Sequence, residues 1–429
     1  MRKPVLAALL GGLALLQTAA WADVKLPAIF SDNMVLQAGK PVHIWGTADK
    51  QEKVTVSVGG QTVSTTAGAD GKWQVELKPL AEGDGALEMN LEGNNKLTVK
   101  NILVGSVWIA SGQSNMEFGM GGAHNAATEI PLANHPKLRL FTVTKKIALE
   151  PQSDCVGKWV ECTPETVRSF SAVGYFFGRD LQVATGKPVG MIHTSWGGTP
   201  AQSWVSLDGL EKDPELKQAY ADAVRGRIAK LPELKAKYEQ ELPVFQEANK
   251  KWQAEHKAKF DAAMKAWWEE AQAARAAGKP EPRRPDYKPA APKAPEPPEG
   301  NAGTPAGLYN AMIAPLVPLS VEGAIWYQGE SNAGNAQQYR TLFPRMITDW
   351  REKFGQDFAF LFVQLANYGN RPATPVDTGW ARLREAQTMT LALPKTGMAV
   401  IIDIGQGNDI HPRDKMDVGR RLFLAAQRV

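Results

Sequence analysis

The sequence predicts an α/β protein: a parallel-sheet domain that carries an N-terminal β domain and is interrupted by a helical insertion. Three observations predict it. Residues 23–103 hold short, mostly alternating apolar runs separated by turns such as Gly59-Gly60 and Asp70-Gly71. From 104 onward, continuous apolar runs alternate with amphipathic stretches, the grammar of a sheet covered on both faces. Residues 210–300 break that alternation with a segment rich in Ala, Lys, Glu and Gln, then one rich in Pro.

Residues 1–22 read as a secretory leader. Arg2 and Lys3 precede an apolar run, and Ala20-Trp21-Ala22 fits a small-x-small cleavage pattern just before Asp23. The apolar run is short for a membrane span. Export to the periplasm or beyond is therefore expected, with no membrane attachment after cleavage. Cleavage would lower the formal charge from +4 to +2, too little to suggest a nucleic-acid partner. The two cysteines, Cys155 and Cys162, are expected to form a disulfide in an oxidising compartment, the alternative being two free buried thiols.

In the β domain the runs 43–45, 54–58, 73–77 and 97–99 are expected strands, packed as a small β-sandwich that supports the next domain or binds carbohydrate. The α/β domain is expected in two parts, 104–209 and 301–429. Its strands are predicted at 104–110, 138–143, 189–193, 323–327, 358–364 and 398–403, with helices at 171–183, 338–353 and 380–391. Chemistry in such sheets gathers at the carboxyl ends of the strands. Within the insertion, Leu231, Leu234, Tyr238, Leu242 and Phe245 have helical spacing, and 210–277 reads as a long helical hairpin. Residues 279–298 read as an extended polar linker. No partner for the insertion can be read from it.

The chemistry-bearing residues follow apolar strands. After 107–110 comes Ser111-Gly112-Gln113-Ser114-Asn115-Met116. Ser114 in a strand-to-helix turn is either an exposed nucleophile or a helix N-cap. After 189–193 come Trp196, Gly197, Gly198 and Thr199, whose backbone N–H groups suit an oxyanion hole or merely a turn. After 323–327 come Gln328, Glu330 and Asn332. The two amides are candidate oxyanion donors, and Glu330 is a candidate orienting or substrate-binding acid. Late in the chain, Asn408-Asp409-Ile410-His411-Pro412 offers His411 as a general base, with Asp409 the nearest carboxylate to fix its tautomer and Asp403 the next. Trp196, Trp204, Trp326 and Trp380 are either core residues or aromatic surfaces on which a ligand could stack. Phosphate loops, Gly-x-Ser-x-Gly elbows and His-Glu-x-x-His zinc motifs do not occur, so no cofactor or metal is expected.

Taken together, these blocks resemble the sialate O-acetylesterase family within the SGNH-type hydrolases. Residues 26–37, 111–116, 196–202, 326–333, 383–387 and 409–415 look like its motifs in order, and the likeness spans most of the chain outside 210–300. The resemblance implies a three-layer SGNH-hydrolase-like domain and metal-free hydrolysis of acetyl esters on sialic acid or other glycans. It implies Ser114 as nucleophile and His411 as base. Ser114, Gly198, Gln328 and Asn332 would surround the oxyanion, and Trp196 and Glu330 would meet the acetylated carbohydrate. SGNH hydrolases usually carry Asp three residues before the histidine; Asn408 stands there, which leaves Asp409 as the nominal third member. Relatives are expected to continue with more β structure past Val429. The rival readings are an acetylesterase for plant polysaccharides such as xylan or xyloglucan, and a non-catalytic carbohydrate-binding protein.

Overall fold

The structure is a computed structural model and describes residues 23–277, 279–369, 373–374 and 376–429. The expected leader, 1–22, lies outside the described residues.

One strand organises the molecule. Lys96–Gly112 is seventeen residues long. Its first half pairs with Gly83–Glu92, and Val35–Gln37 runs parallel beside Leu103 to Gly105. Its second half enters a parallel sheet between Val189–His193 and Gly323–Tyr327. From one edge, the sheet order is Thr396–Ala399, Ala359–Val363, Gly323–Tyr327, Lys96–Gly112, Val189–His193, His135–Thr142 and Trp159–Cys162. Every neighbouring pair is parallel except the last, where Trp159–Cys162 runs antiparallel to His135–Thr142. The position between residues 103 and 104, read as a domain boundary, falls in the middle of a continuous strand.

The central strands are continuous apolar runs because both faces are covered. Val189–His193 and Gly323–Tyr327 are buried at every residue. A Cβ on Gly323 would meet the Trp108 ring, and Trp108 packs on Phe177 of the Ala172–Thr185 helix. Side chains alternate along a strand, so Trp326 points to the opposite face. There it packs on Trp204 and on Phe343 and Trp350 of the Ala336–Phe354 helix. Both helices have legible ends. Ser171 caps Ala172–Thr185 by accepting the Gly174 N–H, and Gly186 and Gly355 close the two helices in the left-handed conformation. The last helix, Lys415–Ala426, seats Gly419 against Phe176 and the Phe177 backbone, a distance a side chain would not allow.

The insertion differs from a helical hairpin. Short helical segments lead to Leu231–Ala276, one helix of 46 residues. Residues 279–298 supply the return leg without helix. Trp267 Nε1 donates to the Pro282 carbonyl and Trp252 Nε1 to the Pro289 carbonyl. Tyr287 packs on Trp252, His256 and Phe260. The supposed linker is therefore packed against the helix.

The expected disulfide is absent; Cys155 and Cys162 are free, buried thiols. The reason is extension. Thr144 N–H bonds the Val156 carbonyl at one end of this edge, and Cys162 pairs with His135 at the other. Seven residues of extended chain separate their Cα atoms by roughly 20 Å, far beyond disulfide reach. Burial pushes both thiols up to about 12, so they are poor nucleophiles. Among the described residues no helix is long and apolar enough to cross a membrane.

Candidate active site

Ser114 stands where the organising strand ends. Gly112 has φ +136°, and a Cβ there would lie 2.2 Å from the Tyr327 carbonyl oxygen, so only glycine permits this close passage. The Gln113 N–H then donates to that same carbonyl at 2.9 Å, and the chain turns into the short helix Ser114–Glu117. The Ser114 side chain makes no capping bond; Gln113 is the residue before the helix.

His411 arrives from the loop before the last helix. Its Nε2 lies 2.8 Å from Ser114 Oγ, across 297 residues of sequence. Burial first, and the Lys415 ammonium second, hold the imidazole below its usual range against a smaller opposing pull from Asp409. A neutral imidazole protonated on Nδ1 accepts the hydroxyl proton at Nε2.

The two carboxylates considered for the third position behave differently from expectation. Asp409 Oδ1 accepts the backbone N–H of His411 at 2.8 Å, so it fixes the loop and makes no bond to the ring. Asp403 is exposed and paired through both oxygens with Arg421, which pulls its carboxyl down to about 2. Among the described residues, no hydrogen bond reaches His411 Nδ1.

The glycine loop lies against Ser114. Trp196 N–H donates to the Gly112 carbonyl, and a Cβ on Gly197 would come 3.3 Å from Ser114 Cβ. Glu117 Oε2 accepts the Gly197 N–H at 2.5 Å while Oε1 accepts from Lys145. Gly198 has φ +73°. The N–H groups of Ser114 and Gly198 have no protein acceptor among the described residues. Backbone N–H groups left open beside a nucleophile are what an oxyanion hole requires.

The proposed side-chain donors do not join them. Asn332 is buried, with Oδ1 accepting from Ala201 N–H and Gln328 Nε2 and its own Nδ2 donating to Gln202 Oε1. Gln328 is buried too, donating to Asn332 and the Thr199 carbonyl and accepting from Tyr339. Both amides hold the 199–202 loop. Glu330 likewise faces inward. Its Oε1 accepts from Asn115 Nδ2 at 2.6 Å, and Oε2 is shut away from solvent without a partner. Burial raises its carboxyl. Of the four tryptophans, Trp204 and Trp326 are core residues. Trp196 is half-exposed beside Ser114, with Lys145 Nζ 5.5 Å from its ring centre. Trp380 is half-buried against Tyr368.

Sequence reasoning passed over Asn115, Glu117, Gln202 and Lys415. Asn115 and Glu117 adjoin the serine, and Lys415 opens a helix, where the positive end of the helix dipole disfavours a cation. That misfit was the available signal. Among the described residues no three His, Cys, Asp or Glu side chains are grouped to hold a metal ion.

Residues 104–272 and 301–426 match the family model described as carbohydrate esterase, sialic acid-specific acetylesterase. The chain is 30% identical to the sialate O-acetylesterase of Rattus norvegicus, covering 100% of this chain and 77% of the relative. It is 28% identical to that of Homo sapiens, covering 95% and 72%. Among solved structures, a carbohydrate acetylesterase from Xanthomonas citri superposes with a TM-score of 0.71 at 33% identity, covering 95% of this chain and 75% of that one.

Proposed function

We propose a mechanism from one premise: this chain belongs to the sialic acid-specific acetylesterase family of carbohydrate esterases. It is a carboxylic ester hydrolase that removes O-acetyl groups from sugars. Ser114 is the nucleophile and His411 the general base. The observation that supports this assignment is the 2.8 Å hydrogen bond between Ser114 Oγ and His411 Nε2.

In the first half-reaction Nε2 takes the Ser114 proton as Oγ adds to the acetyl carbonyl carbon. The carbonyl oxygen becomes an anion facing the N–H groups of Ser114 and Gly198. The intermediate collapses, the bond to the sugar oxygen breaks, and His411 returns its proton to that oxygen. Water then adds to the acetyl-serine by the same route and releases acetate. Asp409 serves by holding the His411 backbone, and Gln328 and Asn332 by holding the glycine loop. Trp196 is the first aromatic surface a sugar meets beside the nucleophile. O-acetylated sialic acid is the substrate to be tried first, with acetylated xylan and xyloglucan as comparators.

The larger architecture reads as a three-layer SGNH-type domain with a β-sandwich-like appendage and an insertion. Export rests on the basic, apolar and small-residue order of 1–22.

The test compares wild type with Ser114→Ala on an aryl acetate and on O-acetylated sialic acid. Acetate release should fall by about 1,000-fold or more, and a serine-directed phosphonate should label only wild type. Full activity in the variant would remove Ser114 from the mechanism. Binding of acetylated glycan by wild type with no acetate release would point to a non-catalytic protein.

A further inference from the structure

Beneath the Ser114–His411 pair lies a buried polar group that the mechanism above leaves unused. Asn115, next to the nucleophile, is buried, and its amide joins three distant segments. Nδ2 donates to Glu330 Oε1 at 2.6 Å and to the carbonyl of Ile410, the residue before His411, at 2.9 Å. Oδ1 accepts from Lys415 Nζ at 2.5 Å. The amide orientation is fixed by its partners: an ammonium only donates, and a carboxylate and a carbonyl only accept.

Lys415 is fully buried, an unusual place for a lysine. Its ammonium lies 4.9 Å from the Phe118 ring centre and 5.3 Å from that of Tyr327. Glu330 is its counter-charge, with the Asn115 amide between them. Such a bridge serves position better than stability, because each buried charge is costly to desolvate.

We propose that Lys415, through Asn115 and against Glu330, is a positioning residue that locks the histidine loop onto the nucleophile turn. The proposal rests on the assignment of Ser114 and His411. The lock acts at both ends of the reacting pair, since Asn115 adjoins Ser114 and its amide holds the peptide before His411. The charged groups facing Lys415 are Glu330, Asp409 and Asp414, and those acting on His411 are Lys415 and Asp409. Burial brings Lys415 down to about 7. While protonated, Lys415 makes the imidazolium of His411 harder to form.

The experiment measures the pH dependence of kcat and kcat/KM on an aryl acetate for wild type, Lys415→Met and Lys415→Met/Glu330→Gln, with Ser114→Ala alongside. The double variant removes both buried charges and covers the case in which the single one fails to fold. Whichever variant folds should lose kcat by about 100-fold with KM little changed, the expected size for a misplaced catalytic pair. Its acid limb of kcat/KM should move to higher pH, because His411 has lost a neighbouring positive charge. A folded variant with kcat near wild type, or with an unmoved acid limb, would overturn the proposal. Retained activity in Ser114→Ala would instead overturn the nucleophile assignment on which it rests.

Discussion

His193 and His411 are both imidazoles within reach of a serine hydroxyl, and their surroundings give them different roles. His411 is half-buried on a loop and meets Ser114; His193 ends a central strand, packs edge-on to Phe170 and meets Ser195 at 2.5 Å. His193 Nδ1 is buried with no partner, and burial lowers the group from 6.5 to about 4. Between pH 6.5 and 4 the unfolded chain binds this proton and the native state does not. Stability is therefore lost as pH falls through that window, by at most roughly 3 kcal/mol. Urea midpoints at pH 7 and pH 4.5 should separate more in wild type than in His193→Gln; equal separations would show that His193 does not set the acid sensitivity. The same contrast explains what was legible. Ser114, His411 and the glycine loop each follow an apolar strand, and strand ends can be found by pattern. The choice between Asp409 and Asp403 could not be, because it turns on Arg421, eighteen residues past Asp403 and a turn and a half into a helix. The side-chain oxyanion donors were misread because nothing in Gln-Gly-Glu-Ser-Asn reveals that the Thr199 carbonyl, Asn332 Oδ1 and Gln202 Oε1 already take the amide N–H groups.

At the scale of elements, the sheet was readable and the insertion only half so. Strands 189–193 and 323–327 were placed to the residue because five buried positions in a row leave little choice of boundary. The hairpin reading of 210–277 failed because helical spacing continues through Pro243 into one helix, and because proline-rich sequence was taken as unpacked. The dimensions show why it packs. From Trp252 to Trp267 the helix rises about 22 Å. Pro282 and Pro289 are seven residues apart on a return leg without helix or strand, and seven residues of extended chain can span that rise. The two indole N–H groups therefore reach two proline carbonyls on the return leg. Arg227 fastens the far end through the Pro297 and Pro298 carbonyls. Replacing Trp252 by Ala removes one of these donors and the ring shared with Tyr287 and Phe260. Cleavage within 279–298 under limited proteolysis should then quicken by about tenfold, equivalent to about 1.4 kcal/mol of easier local opening. An unchanged cleavage pattern would mean that the return leg does not depend on these contacts.

For the whole molecule, the informative feature is that the N-terminal strands and the parallel sheet share a strand. Lys96–Gly112 pairs in both regions and ends at the Ser114 turn, so the N-terminal strands extend directly into the support of Ser114. Cross-links surround the junction. Gln37 accepts the Val107 N–H and donates to Glu322; Lys40 reaches the Val321 carbonyl; Trp159 Nε1 reaches the Ile29 carbonyl. Two regions coupled through one backbone and buried polar bonds should unfold together. Ile102, fully buried at the middle of the strand and paired with Leu87, tests this well away from the chemistry. Ile102→Ala should cost about 2–5 kcal/mol, the usual range for removing a buried aliphatic side chain. If the regions are one unit, tryptophan fluorescence, far-ultraviolet circular dichroism and esterase activity will all be lost at one lowered urea midpoint. If the β domain were an independent appendage, the variant would show an early transition that leaves activity intact. Activity surviving on that plateau would separate the β domain from the catalytic sheet.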